Sequence, residues 1–239
     1  MAGVVVQVKS LAQNTATGTA SITLDSPATA GNKLVVVYGG DDYVTSGNKP
    51  AGFTEPTGGR QETFLGHYVW YKTAAGGETT FSCTPGSSVT WCMIALELSG
   101  VGSLDVSNGT LQQSSGTTMT TPAVTPSAGN RFAVASIGGS FNGAFNTGVG
   151  SWTNGYTETA DVATTLGSGT RDNISVASLS FTADGVSGTS TGITWDNGVT
   201  PQSRTGIILV FQEAAPATAT PWRNVQVVPP VAVHRAATY

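Results

Sequence analysis

The run Cys92-Met-Ile-Ala-Leu-Glu-Leu98 carries apolar side chains on both sides of an extended backbone: Cys92, Ile94, Leu96 and Leu98 share one face, Met93, Ala95 and Glu97 the other. A strand apolar on both faces needs cover on both, so this segment predicts a buried strand lying between two sheets. Similar short runs precede it at Val4–Lys9, Ala20–Leu24, Lys33–Tyr38, Gly66–Lys72 and Thr79–Cys83. Others follow at Thr118–Val124, Arg131–Ile137, Tyr156–Asp161, Ile174–Phe181, Thr189–Trp195 and Thr205–Gln212. Clusters of Gly, Pro, Asn and Ser separate them, and helix signals are nearly absent. The expectation is an all-β, antiparallel jelly-roll β-sandwich occupying residues 1–213 as one unit.

Composition agrees with that class. Gly contributes 31 of 239 residues and charged residues only 10%, against roughly 25% in an ordinary soluble domain. With 39% hydrophobic residues and a net charge of −4, the chain can build a core and is not read as disordered. The same numbers exclude partners. Ten basic residues, none between Thr73 and Asn130, give no electrostatic footprint for nucleic acid or an anionic membrane. Apolar runs such as Leu34–Val37 are far shorter than the roughly 20 residues of a membrane-spanning helix. The N-terminus MAGVVVQVKS has neither a basic region nor an apolar core, so no signal peptide is expected.

The chain also carries a weak internal repeat. Ser21-Ile-Thr-Leu-Asp-Ser-Pro-Ala-Thr-Ala-Gly-Asn-Lys-Leu-Val-Val-Val-Tyr-Gly-Gly40 has a counterpart in Thr120-Thr-Pro-Ala-Val-Thr-Pro-Ser-Ala-Gly-Asn-Arg-Phe-Ala-Val-Ala-Ser-Ile-Gly-Gly139. Each holds Ala-Gly-Asn, one basic residue, a β run and Gly-Gly. Three later elements recur in the same order, which favours two pseudo-repeated halves, about 18–101 and 116–213, over convergence on turn chemistry. Halves of about six strands each are expected to complete each other's sheets.

Beyond Glu213 the composition changes. Residues 214–220 form a Pro/Ala/Thr linker, and Pro221–Tyr239 follows as an extended C-terminal arm whose prolines preclude a continuous helix. Trp222, Val225, Val228, Val231, Val233 and Tyr239 make it too apolar to prefer water. Ordering a backbone costs about 1–2 kcal/mol per residue, so such an arm orders only against a partner surface: its own sandwich or a second subunit.

No motif for chemistry stands out. Asp41-Asp42-Tyr43 after Gly39-Gly40 offers two carboxylates to a hard cation, but too few oxygen ligands are visible and solvated loop charge is the plainer explanation. Asp196-Asn197-Gly198 reads as a turn. Glu55, Glu62, Glu78, Glu97, Glu158 and Asp161 are scattered rather than paired for glycoside hydrolysis, and Glu97 is placed on the outer side of its strand. His67, one of two histidines, lies in an aromatic-rich strand without a nucleophile elbow nearby. Cys83 and Cys92 fit either a hairpin disulfide or two buried thiols, and so few cysteines favour the thiols. Tyr43, Phe53, Trp152 and Tyr156, together with Phe141 and Phe145, fall in or beside loops. They are candidate glycan-facing aromatics or, more plainly, caps on the open ends of the core. No catalytic, metal-binding or cofactor-binding residue is assigned.

The strings Ala30-Gly-Asn-Lys-Leu-Val-Val-Val-Tyr-Gly-Gly40, Trp70-Tyr-Lys-Thr-Ala-Ala-Gly-Gly-Glu-Thr-Thr-Phe81, Met93-Ile-Ala-Leu-Glu-Leu-Ser-Gly-Val101 and Gly206-Ile-Ile-Leu-Val-Phe-Gln-Glu-Ala214 resemble those of two-halved jelly-roll proteins of tailed-phage virions. The resemblance spans about residues 18–213 and brings no catalytic residues. It implies a non-enzymatic bacteriophage structural protein, a minor tail, tail-tip or capsid decoration component displayed on the virion and anchored by its terminal arm. Its partners would be other virion subunits, including copies of itself in a homo-oligomer. The alternative is a carbohydrate-binding, lectin-like domain that recognises host-surface glycans.

Overall fold

Residues 2–112, 116–142, 151–164, 170–195 and 200–214 are described by a computed structural model. The first half contributes β1 (Val4–Thr17), β2 (Ala20–Thr23), β3 (Lys33–Gly40), β4 (Arg60–Glu62), β5 (Gly66–Thr73), β6 (Thr80–Cys83) and β7 (Val89–Ser99). The second contributes β8 (Val101–Gln112), β9 (Thr118–Thr120), β10 (Gly129–Asn142), β11 (Thr157–Ala163), β12 (Thr170–Ala183), β13 (Gly192–Thr194) and β14 (Ser203–Glu213). The fold is all-β, with antiparallel pairing in every sheet.

One large sheet runs β1-β7-β3-β5-β4 and the other β8-β14-β10-β12-β11; β2-β6 and β9-β13 form two small sheets. Adding seven to each label of the first large sheet gives the second, and the same shift converts one small sheet into the other. The halves therefore share one strand order. They do not complete each other's sheets, as the sequence suggested, because each sheet draws its strands from one half alone. The chain passes between halves at Gly100, whose φ of 68° lies in the left-handed region that glycine enters without steric cost.

Strand alternation sorts the side chains into three cores. Leu34, Val36, Tyr38, Trp70, Met93 and Ala95 face the small sheet of the first half, with Ile22 and Phe81 beneath them. Val35, Val37, Ile94, Leu96 and Leu98 face the other way, onto Phe132, Val134, Ile174, Val176, Ile207 and Leu209 of the second half. Ala133, Ala135, Ile208 and Val210 turn toward the second small sheet, packing with Met119, Ile193 and Trp195. The two large sheets are thus the inner layers of a four-layer stack, and this is why Cys92–Leu98 is apolar on both faces. Each large side chain so buried contributes about 1.5–3 kcal/mol relative to exposure.

Cys83, on β6 of the small sheet, lies in the first core and Cys92, on β7 of the large sheet, in the central one, so the large sheet separates them. Both are free thiols, which resolves the alternative against a disulfide. Burial pushes the Cys83 thiol up to about 12.

Candidate functional site

Three of the four candidate glycan-facing aromatics have no face to offer. Phe53 is buried in the first core, edge-on to Phe81 at 5.4 Å between centroids, with Lys72 Nζ 5.2 Å from its ring centre. Trp152 and Tyr156 are buried in the third core. They sit in loops by sequence but cap the cores in space, and Phe141 does the same against Trp195. Tyr43 alone is exposed, its hydroxyl donating to the Thr63 carbonyl at 2.8 Å, beside an exposed Phe64 that the sequence reading passed over. Trp222, Val225, Val228, Val231, Val233, Tyr239, Phe145 and the Asp196-Asn197-Gly198 turn lie outside the described residues.

Glu97 is not on an outer face either. It is buried and accepts hydrogen bonds from Gln7 Nε2 at 2.5 Å, the Thr29 amide at 2.8 Å and Asn32 Nδ2 at 2.6 Å. Burial alone raises its pKa, but these donors outweigh it and hold the carboxyl below its ordinary value. Its role is to pin the Ala30-Gly31-Asn32 turn onto β7.

The polar groups that stand out lie in the central seam between the large sheets. Gly39 and Gly138 face each other's half there. A Cβ on Gly39 would stand 2.5 Å from Ile174 Cγ2, and one on Gly138 would stand 2.7 Å from Leu65 Cδ2 and 3.2 Å from His67 Nδ1. The two contacts correspond: Gly39 pairs with His67 across the first sheet as Gly138 pairs with Ile174 across the second.

His67 is fully buried, with Nδ1 2.8 Å from Thr205 Oγ1 and Nε2 2.8 Å from Ser136 Oγ. Thr205 Oγ1 also donates to the Gly138 carbonyl at 3.3 Å. The consistent assignment has Nδ1–H donating to Thr205 and Nε2 accepting from Ser136. Desolvation drives the imidazole down to about 3, so it stays neutral. The set has the elements of a nucleophile and its base, but it is sealed from water and its imidazole is too weak a base for general-base work near neutrality. It is a satisfied polar plug in an apolar seam.

Two residues toward the loop end from that plug, a second polar group is not satisfied. Asp172, Ser140 and Ser203 pair side by side across β12, β10 and β14 and project toward the first sheet. Opposite them stand Asp41, two residues beyond Gly39, and Thr90, two residues before Cys92. Among the described residues neither carboxylate oxygen of Asp172 completes a hydrogen bond of good geometry, nor do the hydroxyls of Ser140, Ser203 or Thr90, although Ser140 lies near enough to act on the Asp172 carboxyl; all five atoms are buried. Desolvation and the facing Asp41 raise the Asp172 carboxyl well above its ordinary value, the Ser140 hydroxyl drawing it back only in part. Asp41 is exposed on its outer side and desolvated enough on its inner side to be pushed up to about 6. The sequence separates Asp41 and Asp172 by most of the chain, so no local motif could have joined them.

Among the described residues no group of three or more His, Cys, Asp or Glu side chains converges as a metal centre, and no helix is long and apolar enough to cross a membrane. No family model, curated protein or solved structure matches this chain.

Proposed function

We propose that this chain is a non-enzymatic structural component of a virion-type particle, of the minor tail or capsid decoration kind, that assembles through its edges and arm. The jelly-roll reading belongs to this proposal, supported by the β1-β7-β3-β5 order facing β2-β6 in the first half and its counterpart in the second. The observation that carries the assembly reading is a single corner of the molecule. There the Gly3 amide donates to Glu213 Oε1 at 3.1 Å, so the exit of the C-terminal segment and the start of β1 lie together. β1 is a 14-residue edge strand paired only with β7 among the described residues. Along it Val4, Val6 and Leu11 are 52%, 51% and 42% exposed. Long apolar edges are what soluble sheets ordinarily blunt with charge; here Lys9 is engaged with Asp25. A neighbouring subunit that adds a strand to β1 uses backbone hydrogen bonds and these valines together.

Deletion of residues 215–239, and separately Val4→Lys with Val6→Lys, is expected to leave a folded protein that no longer incorporates into particles, read by mass spectrometry of purified particles. Normal incorporation of both variants would count decisively against the reading. The glycan-binding alternative rests on Tyr43 and Phe64, and a glycan array with Tyr43→Ala tests it.

A further inference from the structure

The mouth of the central seam asks for an occupant. Among the described residues, five buried oxygen atoms on four strands complete no hydrogen bond of good geometry, where native interiors leave only a few polar groups unpaired per hundred residues. Two of the five belong to a carboxyl group with no exposed surface, and a second carboxyl, Asp41, faces it. A proton shared between the carboxyls would neutralise one charge but would leave the Ser140, Ser203 and Thr90 oxygens as they are. Water alone would leave two carboxyls confronting each other in a desolvated space.

We propose that this mouth, where Asp172, Ser140 and Ser203 of one sheet face Asp41 and Thr90 of the other, is a binding site for one divalent cation of the calcium class. The donor set is oxygen only. The nearest soft ligands are engaged elsewhere: Cys92 Sγ is directed at the Asp172 carbonyl at 3.4 Å, and both His67 nitrogens are bonded to hydroxyls. That excludes the sulfur and nitrogen chemistry zinc and copper favour. An irregular set drawn from different strands suits calcium, which accepts six to eight oxygens in flexible geometry, better than magnesium, which demands an octahedron. Asp41 at the rim, exposed on its outer side, gives the ion a path from solvent. The site is built once. At the corresponding position of the other half Leu65 stands where Asp172 does, and Ser140 where Asp41 does, so the expected stoichiometry is one ion per chain. The ion would tie the two halves at the loop end of their shared seam.

Two carboxylates place the affinity in the weak range, Kd about 10⁻⁴–10⁻³ M. The test is calorimetric titration of calcium alone into the chelator-treated full chain, with thermal melting in 10 mM calcium, 10 mM magnesium or chelator. One ion per chain and a calcium-specific rise in Tm of about 3–6 °C are expected. Both should be lost in Asp172→Asn and weakened at least tenfold in Asp41→Asn, a rim variant that leaves the interior intact. Asp42→Asn is the control: Asp42 bonds its own turn at the Tyr43 amide and should bind as the parent does. Absence of calcium heat and of a Tm shift in the parent protein overturns the proposal, as does a response that survives Asp41→Asn and Asp172→Asn.

Discussion

The two halves meet at two matching contacts that the chain has furnished differently. At one, Ile174 of the second half rests on Gly39; at the other, His67 of the first half rests on Gly138. The backbone solution is the same, a glycine that lets the opposite ridge approach. The side chains are not. Ile174 needs only apolar neighbours, whereas His67 brings two ring nitrogens that must be matched by Ser136 and Thr205. One step toward the loops the contrast reverses: the first half supplies Leu65, and the second supplies the buried, unsatisfied Asp172. Packing geometry is thus shared between the halves, while the bulkier polar side chain comes from the first half at one position, His67, and from the second at the next, Asp172.

The largest effect is expected from making the second contact like the first. His67→Ile should destabilise by about 2–4 kcal/mol in chemical denaturation, because it leaves the buried Ser136 hydroxyl without its partner and strips Thr205 of its imidazole donor. The triple variant His67→Ile, Ser136→Ala, Thr205→Val should recover most of that loss. If the single variant is as stable as the parent, the plug is not holding the seam.

Next come the glycines. Gly39→Ala and Gly138→Ala should each cost about 1–3 kcal/mol by overpacking. Gly138 is the more sensitive, since its Cβ would also stand 2.8 Å from Thr205 Oγ1. Equal costs, or none, would show that the sheets can part to admit a methyl.

Asp172→Leu copies Leu65 into the other half. In chelator it should raise Tm by a few degrees, about 1–2 kcal/mol, because an apolar side chain replaces a carboxyl that lacks partners. A fall in Tm there would mean the carboxyl is better satisfied than its geometry indicates.

The smallest effect is the pH dependence, and its two arms have opposite signs. His67 is depressed to about 3 from an ordinary 6.5. It therefore contributes stability that is present above about pH 6.5 and lost as pH falls toward 3. Asp41, pushed up to about 6, and Asp172, raised well above its ordinary value, contribute stability that is complete below the ordinary carboxyl range and lost as pH rises through their folded values. In chelator the two arms therefore oppose each other between about pH 4 and 6, and Asp172→Leu, which removes one carboxyl from the opposing arm, should make melting temperature fall more steeply than the parent's as pH is lowered from 6.5 to 4.

The strand content and two-sided burial were legible in Cys92–Leu98, because period-two alternation is a local property. The Gly-Gly pairs at 39–40 and 138–139 were legible as part of the internal repeat, but not as the points where the halves touch. That depends on which face of each sheet is covered by the other half, and on a sheet composition that alternation cannot report. Phe53, Trp152 and Tyr156 were placed in or beside loops and read first as core caps, which their burial agrees with; that small sheets fold over them was not legible locally. Asp172 was missed for the same reason. An Asp beside Arg171 and Asn173 looks solvated until β10 and β14 bring Ser140 and Ser203 alongside and β3 brings Asp41 over it.

The one-residue passage at Gly100 has a consequence for synthesis. When the ribosome has made Val4–Ser99, everything needed for the first large sheet and its small partner has been made, but not the cover for Val35, Val37, Ile94, Leu96 and Leu98. Roughly a hundred further residues must emerge first, on the order of ten seconds at 5–20 residues per second. Through that interval the nascent chain presents a broad apolar sheet face without its cover. Until its own second half arrives, that face is open to pairing with the same face of a neighbouring nascent chain, the misassembly to which two-halved folds are prone.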